Sequence, residues 1–364
     1  MYFKPNQLND WFSALTLIVN SNYQLLLNIS TKLASYAPIQ TAPLVTTYFS
    51  IMVSALLPLL FGKIANDHGA SLVVTILSVI VIAIAPMTFE IYATSTNIQW
   101  YCGAIIFALL FVKLDSIPWL TLAIILSFLC GLTGVPSVII TPAFFLIWLF
   151  NKSRGHLYIA ITLLACTAIQ AVVVIGIDNP ARVFTTSPRL LLLPSLLHSV
   201  LGFWLTPNIV QAVGKTALVT ANFIAITVFS GLILGAIVWI NEPRLRYMAA
   251  LALIVGIGAA IVQTFGSLGD PIYLLGGPAN GGRYYFVSTC AITIAIMLSS
   301  TNKTAVPAII LTSAIIVQGI GTFAPAWVPF SSGPSWTDGI NKCKTTTCTF
   351  DIWPSGLTVE LNND

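Results

Sequence analysis

The sequence LYIAITLLACTAIQAVVVIGI, residues 157–177, carries no charged side chain, and a basic turn with Lys152 and Arg154 precedes it. About 20 apolar residues in an α-helix cover the roughly 30 Å hydrocarbon core of a bilayer, so this stretch predicts a membrane-spanning helix. The whole chain has the same character: 57% of its residues are hydrophobic, only 7% are charged, and the mean hydropathy is +0.92. Soluble domains usually carry about 25% charged residues. The composition therefore predicts a polytopic integral membrane protein.

Similar apolar runs, each bounded by polar or charged residues, recur along the chain. We predict an all-α transmembrane helical bundle of about 10 spans, several of them short enough to be re-entrant or broken. The predicted spans are residues 43–62, 70–86, 100–112, 117–131, 136–150, 157–177, 216–240, 247–265, 284–299 and 305–323. The corresponding domains are an outer-face interfacial segment (1–42), a transmembrane helical domain (43–323) and an outer-face C-terminal tail (324–364).

The predicted orientation follows from the Lys and Arg residues in short connections, because short loops on the cytoplasmic side carry an excess of positive charge. If the spans alternate, five basic connections fall on one side, at Lys63, Lys113, Lys152/Arg154, Arg244/Arg246 and Lys303. We assign that side to the cytoplasm, so the C-terminus lies outside a bacterial cytoplasmic (inner) membrane. Most acidic residues then lie outside, namely Asp10, Glu90, Asp178, Asp270, Asp338, Asp351, Glu360 and Asp364. Polar chemistry is therefore expected on the outer face.

Two further predictions concern the ends of the chain. Residues 11–33 are apolar but interrupted by Asn, Gln and Lys, which favours an interfacial helix over a span. Because this topology places them outside, we expect a helix upstream of Met1, or else unaided insertion. In the polar tail, Cys343 and Cys348 are predicted to form a disulfide in an oxidising space. The other cysteines lie in or beside apolar spans and are expected to be small core residues.

Two polar clusters near the N-terminal spans could carry chemistry. Asp10 precedes an apolar helix, so it either caps that helix or serves as a carboxylate that coordinates a metal or acts as a general base. Residues 89–100 combine Glu90, Asn97 and Gln99 with aromatic residues. They form either an interfacial turn with Tyr92 and Trp100 in the aromatic belt, or the lining of a polar cavity.

Two later clusters suggest contact with a phosphorylated lipid. Residues 178–215, which include Arg189, predict a re-entrant or surface-lying element that faces either an anionic lipid carrier or ordinary phospholipid. Residues 269–286 run from Asp270 through four glycines to Arg283 and Tyr284. Exposed backbone amides and a guanidinium make an anion site, although a flexible loop with a snorkelling arginine fits the same pattern. We favour the anion site, because a guanidinium near hydrocarbon requires a partner.

The order of these features resembles that of bacterial GT-C-type polytopic membrane glycosyltransferases, in particular a poorly characterised branch of them. The matching pieces are YQLLLNISTKLAS (23–35) before Ala42-Pro43, TNIQW (96–100), GLTGVPS (131–137) and GGRYYF (281–286). The resemblance implies transfer of a sugar from a polyprenyl-phosphate donor to a glycan or lipid acceptor on the outer face. It also implies that an acid in the first outer loop, here Asp10, is the catalytic base or a metal contact, which leaves a divalent metal ion open as a cofactor.

The chemistry of such a site is consistent with these residues. Arg283 could hold the phosphate, and Asp10 or Glu90 could activate the acceptor hydroxyl. A transporter or flippase of lipid-linked sugars is the competing class, and it should keep more polar residues within its spans than Gln170 and Asn222. An inactive truncated membrane protein is a third interpretation. The expected partners are the lipid bilayer, the donor and the acceptor, and no nucleic acid.

Overall fold

The computed structural model describes residues 10–19, 22–84, 91, 94–176, 184, 186–266, 271–276, 281–300, 305–331, 333–342, 347–352 and 357–362. About 80% of these residues are helical, which confirms the all-α class. The helices are α1 (Trp11–Leu15), α2 (Leu25–Ala34), α3 (Ala42–Ser54), α4 (Leu56–His68), α5 (Leu72–Ile84), α6 (Ile98–Leu109), α7 (Ile117–Gly131), α8 (Val135–Val138), α9 (Thr141–Asn151), α10 (Arg154–Gly176), α11 (Pro188–Ser199), α12 (Pro207–Thr216), α13 (Thr220–Trp239), α14 (Pro243–Phe265), α15 (Phe286–Leu298), α16 (Ala305–Ser331) and α17 (Trp336–Lys342).

Two short antiparallel hairpins accompany the helices. Strand β1 (Ile18–Val19) pairs with β2 (Asn22–Tyr23), and β3 (Thr347–Ile352) pairs with β4 (Leu357–Asn362). The predicted disulfide falls partly on the second hairpin, since Cys348 lies in β3. Cys343 lies outside the described residues, among which there is no disulfide. The pairing of these two cysteines therefore stays a prediction.

Each of the predicted spans coincides with a helix, but the count of ten spans is not confirmed. Four helices are long and apolar enough to cross a membrane, namely Ala42–His68 (α3 and α4 together), α10, α13 and α14. The other predicted spans correspond to shorter apolar helices or, in α16, to the apolar part Ala305–Gly321. This difference arises because hydropathy detects apolar segments regardless of whether lipid or protein surrounds them.

Two of the short helices form the buried centre of the bundle. Every residue of α15 is buried, and so is every residue of α6 except Gln99. α15 packs against α14, α5 and α6, and α6 packs against α4 and α7. Gly256 permits a close approach of α14 to α15, because a Cβ there would collide with the Cβ of Ala291 in α15.

Large apolar side chains point outward from the surrounding helices. Ile117 in α7, Ile175 in α10 and Ile254 in α14 are all more than two-thirds exposed. Soluble monomers rarely expose such extensive apolar surface, whereas helices in contact with lipid require it. The exposed surface thus agrees with the membrane environment that the composition predicts.

Three of the connections with basic residues meet at one end of the bundle. The Asp67 carboxylate pairs with Lys63 and accepts a 2.9 Å hydrogen bond from the backbone N–H of Lys113. A ring nitrogen of His156 lies 3.3 Å from the carbonyl oxygen of Leu110. The turns after α4, after α6 and before α10 therefore lie together, as the predicted alternation of spans requires.

Two segments are more buried than the sequence predicts. Residues 11–33 do not form one interfacial helix: α1, the β1–β2 hairpin and α2 share them, and most of α2 is buried. The interrupting amide of Asn28 is satisfied internally, since its Nδ2 donates to the carbonyl oxygens of Leu15 and Leu17. Similarly, the second half of α11 is buried against α13 and α14, so residues 178–215 do not lie wholly on the surface.

Candidate functional site

A cavity of about 500 Å³ lies where the beginnings of α6, α8 and α15 meet the ends of α10 and α14. The predicted topology places all of these helix ends outside. The lining residues that carry polar groups are Asn22, Gln24, Thr96, Asn97, Gln99, Trp100, Gln263, Arg283 and Tyr284. Apolar residues complete the wall, among them Val135, Pro136 and Phe265. We call this space the outer-end cavity.

Hydrogen bonds between distant parts of the chain hold Asn22 and Gln24 in the cavity wall. Gln170 in α10 is buried, and its amide accepts from the N–H of Tyr23 (3.3 Å) and donates to the Tyr23 carbonyl (2.9 Å). The backbone N–H of Leu25 donates to the carbonyl of Leu132 at 2.9 Å. Residues 22–25 are thereby fixed against α10 and the end of α7.

A glycine behind α6 provides the space for Gln99. Gly134 has φ +111°, which L-residues with a Cβ rarely adopt, and a Cβ there would lie 2.9 Å from the Cβ of Gln99. Asn97 and Gln99 are both partly exposed at the start of α6. Asn97 and Gln99 line the cavity, whereas Glu90, the other acid or amide predicted to line a polar cavity with Asn97, lies outside the described residues.

Arg283 and Tyr284 reach the cavity from the 3₁₀ turn Gly282–Tyr285 that precedes α15. Gly281 begins this turn with φ +95°, and a Cβ there would lie 2.8 Å from the Tyr284 ring. The Tyr284 ring packs edge-to-face against Trp100, with centroids 5.1 Å apart. The Arg283 guanidinium carbon lies 5.3 Å from the centre of the Tyr284 ring. The predicted neighbours Arg283 and Tyr284 are thus brought together with Asn97 and Gln99.

Several polar atoms in the cavity wall lack a hydrogen-bond partner among the described residues. They are Gln24 Oε1, Gln263 Oε1, Gln263 Nε2 and Trp100 Nε1, and all four are closed to solvent. A buried donor or acceptor left unsatisfied costs about 1–3 kcal/mol. Such atoms are rare in folded proteins, and each calls for an explanation such as a bound water or ligand. Eight more lie elsewhere among the described residues, but these four belong to residues that line one cavity. They are the strongest sign that this cavity binds something polar.

Two other predicted site residues, Asp10 and Arg189, are described and do not line the cavity. Asp10 caps α1: its two carboxylate oxygens accept from the backbone N–H and the hydroxyl of Ser13, both at 2.7 Å. These hydrogen bonds lower the pKa of Asp10 from its ordinary value. Arg189 lies elsewhere, at the start of α11, where it donates to the Leu218 carbonyl and the Thr220 hydroxyl. The helix-cap interpretation of Asp10 is confirmed, and Arg189 connects α11 to the start of α13.

Gln24 and Gln263 line the cavity but are not among the predicted site residues. Gln263 is the one side-chain amide in α14 and occupies its largely apolar last turns, a position where a polar residue indicates function. The two polar residues that were noted within spans are structural instead. Gln170 holds Tyr23, and Asn222 donates to the carbonyl of Thr216.

The described residues offer few groups for metal or acid chemistry at this site. They contain no group of three or more His, Cys, Asp or Glu side chains that could hold a metal ion. Described carboxylates are likewise absent from the cavity lining, and Asp270 lies outside the described residues. The described lining is therefore equipped for binding through amides and one guanidinium.

Comparison of the chain with known protein families, with curated proteins and with solved structures finds no match in any of the three. The proposals below accordingly depend on the geometry of the outer-end cavity and on the chemistry of its residues.

Proposed function

We propose that this chain is a multi-pass glycosyltransferase of the bacterial cytoplasmic membrane. It would move a sugar from a polyprenyl-phosphate-linked donor to a glycan or lipid acceptor on the outer face, with its C-terminus outside. The observation that carries this proposal is the outer-end cavity, which combines the guanidinium of Arg283 with several side-chain amides. A guanidinium suits a phosphate, and amides suit the hydroxyl groups of a sugar.

In this proposal, Arg283 holds the donor phosphate at the ends of the helices, at headgroup depth. The acceptor hydroxyl oxygen forms a new bond to the anomeric carbon of the sugar, and the bond from that carbon to the phosphate oxygen breaks. A carboxylate takes the hydroxyl proton, and polyprenyl phosphate leaves with its charge stabilised by Arg283.

Glu90 is the better choice for this carboxylate. Asp10 is engaged in capping α1, whereas Glu90 directly precedes buried Ile91 and the segment that leads to the cavity residues Thr96 and Asn97. Glu90 is therefore the acid nearest in sequence to the α6 part of the lining. The role of Asp10 that the family resemblance implies becomes the secondary assignment.

A transporter or flippase of lipid-linked sugars is the second candidate. It is favoured by the lack of a described carboxylate in the cavity lining. A carrier needs to hold the phosphate and the sugar but does not need to remove a proton. The two functions differ in whether the bond between the sugar and the phosphate survives.

Reconstituted protein can distinguish them. Proteoliposomes that contain polyprenyl-phosphoglucose with a labelled sugar, together with an extract of acceptor lipids and glycans, are analysed for free polyprenyl phosphate and relocated label. A transferase releases the carrier and moves the label to the acceptor, and Glu90→Gln abolishes both effects. Glu360→Gln, in strand β4 of the tail, is the matched control and should leave transfer unchanged. Movement of intact donor between leaflets would instead support the carrier, and neither event would favour an inactive membrane protein.

A further inference from the structure

We infer that the outer-end cavity binds an uncharged sugar through its hydroxyl groups, and that Gln24, Gln263 and Trp100 are the residues that recognise them. This inference rests on the proposed function and adds the class of sugar and the part of the cavity that binds it. The amides and the indole would hold the sugar, while Arg283 holds the phosphate.

In the described part of the chain, the cavity wall holds equal numbers of unsatisfied donors and acceptors. Gln24 Oε1 and Gln263 Oε1 accept hydrogen bonds, whereas Gln263 Nε2 and Trp100 Nε1 donate them, and none has a partner among the described residues. A carboxylate or phosphate could satisfy only the two donors, and an ammonium group could satisfy only the two acceptors. A hydroxyl group both donates and accepts, so a sugar with several hydroxyls matches both kinds of atom.

These side chains stand on rigid parts of the fold. Gln24 bridges to Thr133 and directly precedes Leu25, whose N–H is bonded to Leu132. Gln263 belongs to the last turns of α14, which packs against the buried helix α15. In the ligand-free protein the four polar atoms are closed to solvent, but the terminal amide torsion of glutamine is broad. A modest rotation would therefore turn each amide towards a ligand without moving the backbone.

The charge of the lining favours a neutral sugar. Arg283 is the only Lys or Arg among the described lining residues, and the donor phosphate would occupy it. A sugar carboxylate placed against Gln24 Oε1 and Gln263 Oε1 would meet two further acceptors. Rejection of a ligand that leaves buried polar groups unpaired is a strong source of specificity.

Binding of three lipids by the purified full-length chain tests the inference. The probes are polyprenyl phosphate, polyprenyl-phosphoglucose and polyprenyl-phosphoglucuronate, measured with wild type, Gln24→Met and Gln263→Met. Methionine keeps the length of the side chain and removes the amide. Wild type should bind polyprenyl-phosphoglucose at least about tenfold more tightly than polyprenyl phosphate, since one neutral hydrogen bond in a buried site is worth about this factor. Each variant should lose about tenfold for the glucose lipid and keep its affinity for polyprenyl phosphate.

Gln318→Met is the matched control, because Gln318 is a partly buried glutamine of α16 that donates to Leu205 and lies outside the cavity lining. It should keep the wild-type preference, and retained binding of polyprenyl phosphate shows that each variant is folded. An unchanged preference in both cavity variants overturns the inference, and so does equal binding of the glucuronate lipid by wild type. Arg283-dependent binding of polyprenyl phosphate with no sugar preference would refute this inference alone. Failure of wild type to bind any of the lipids would refute the proposed function as well.

Discussion

Replacement of Gln263 by methionine should make the ligand-free protein more stable. Gln263 is 6% exposed, and neither its Oε1 nor its Nε2 has a hydrogen-bond partner among the described residues. Each unsatisfied atom costs about 1–3 kcal/mol, and an apolar side chain of similar shape removes that cost. Because methionine fits irregular core space and has the same unbranched length, little of the gain should be lost to poor packing.

The free energy of unfolding should increase by about 1–3 kcal/mol. This corresponds to removing the cost of one of the two unsatisfied amide atoms, after small packing losses. For a chain of this size the apparent melting temperature should rise by roughly 1–4 °C. The measurement is thermal unfolding of detergent-solubilised wild type and Gln263→Met, followed by intrinsic fluorescence without added lipid.

Gln170→Met is the contrasting variant, because it removes a buried glutamine whose amide is satisfied. Loss of its hydrogen bonds leaves the N–H and carbonyl of Tyr23 without that partner, so the melting temperature should fall. The reasoning is refuted if Gln263→Met is neutral or destabilising while Gln170→Met behaves as expected. That result would mean that the Gln263 amide is already satisfied in the folded protein.

Three further predictions concern topology, the tail and the anion site. Reporter fusions at Asn302 and Asp364 should report opposite compartments, and the same compartment for both would contradict the assigned orientation. Intact-mass analysis with thiol alkylation should find Cys343 and Cys348 protected until reduction, whereas two alkylated tail thiols in unreduced protein would exclude the disulfide. Arg283→Ala should lose most of the roughly 1.5–3 kcal/mol of a charge-assisted hydrogen bond to polyprenyl phosphate, and Arg283→Lys should keep part of it. Equal affinities for wild type and Arg283→Ala would make Arg283 a snorkelling anchor.

The positions of the helices could be predicted well from the sequence, but their surroundings could not. Apolar runs identify α7 and α10 almost to the residue, because a continuous apolar segment must be removed from water whether lipid or protein surrounds it. The same runs do not show that α15 is wholly enclosed by protein while α10 exposes Ile175. Both helices are apolar around their circumference, so their periodicity does not distinguish a lipid neighbour from a protein neighbour.

Part of the candidate site could also be predicted. Asn97, Gln99, Arg283 and Tyr284 were recognised as dense polarity beside apolar spans, and the fold gathers them around one cavity. Gln24 was missed because its position depends on pairing with Thr133, more than a hundred residues away in the chain. Local patterns do not contain that contact.

The outer-end cavity combines several departures from local rules in one wall. Two of the three described glycines with positive φ, Gly134 and Gly281, support the cavity residues Gln99 and Tyr284. The unsatisfied amide atoms of Gln24 and Gln263 lie in the same wall. Sequences selected for stability alone would replace such amides by apolar side chains, and natural proteins break local rules mainly where function requires it. The coincidence of two positive-φ glycines, unsatisfied amide atoms and a guanidinium in one wall is therefore the strongest physical reason to place the function of this protein there.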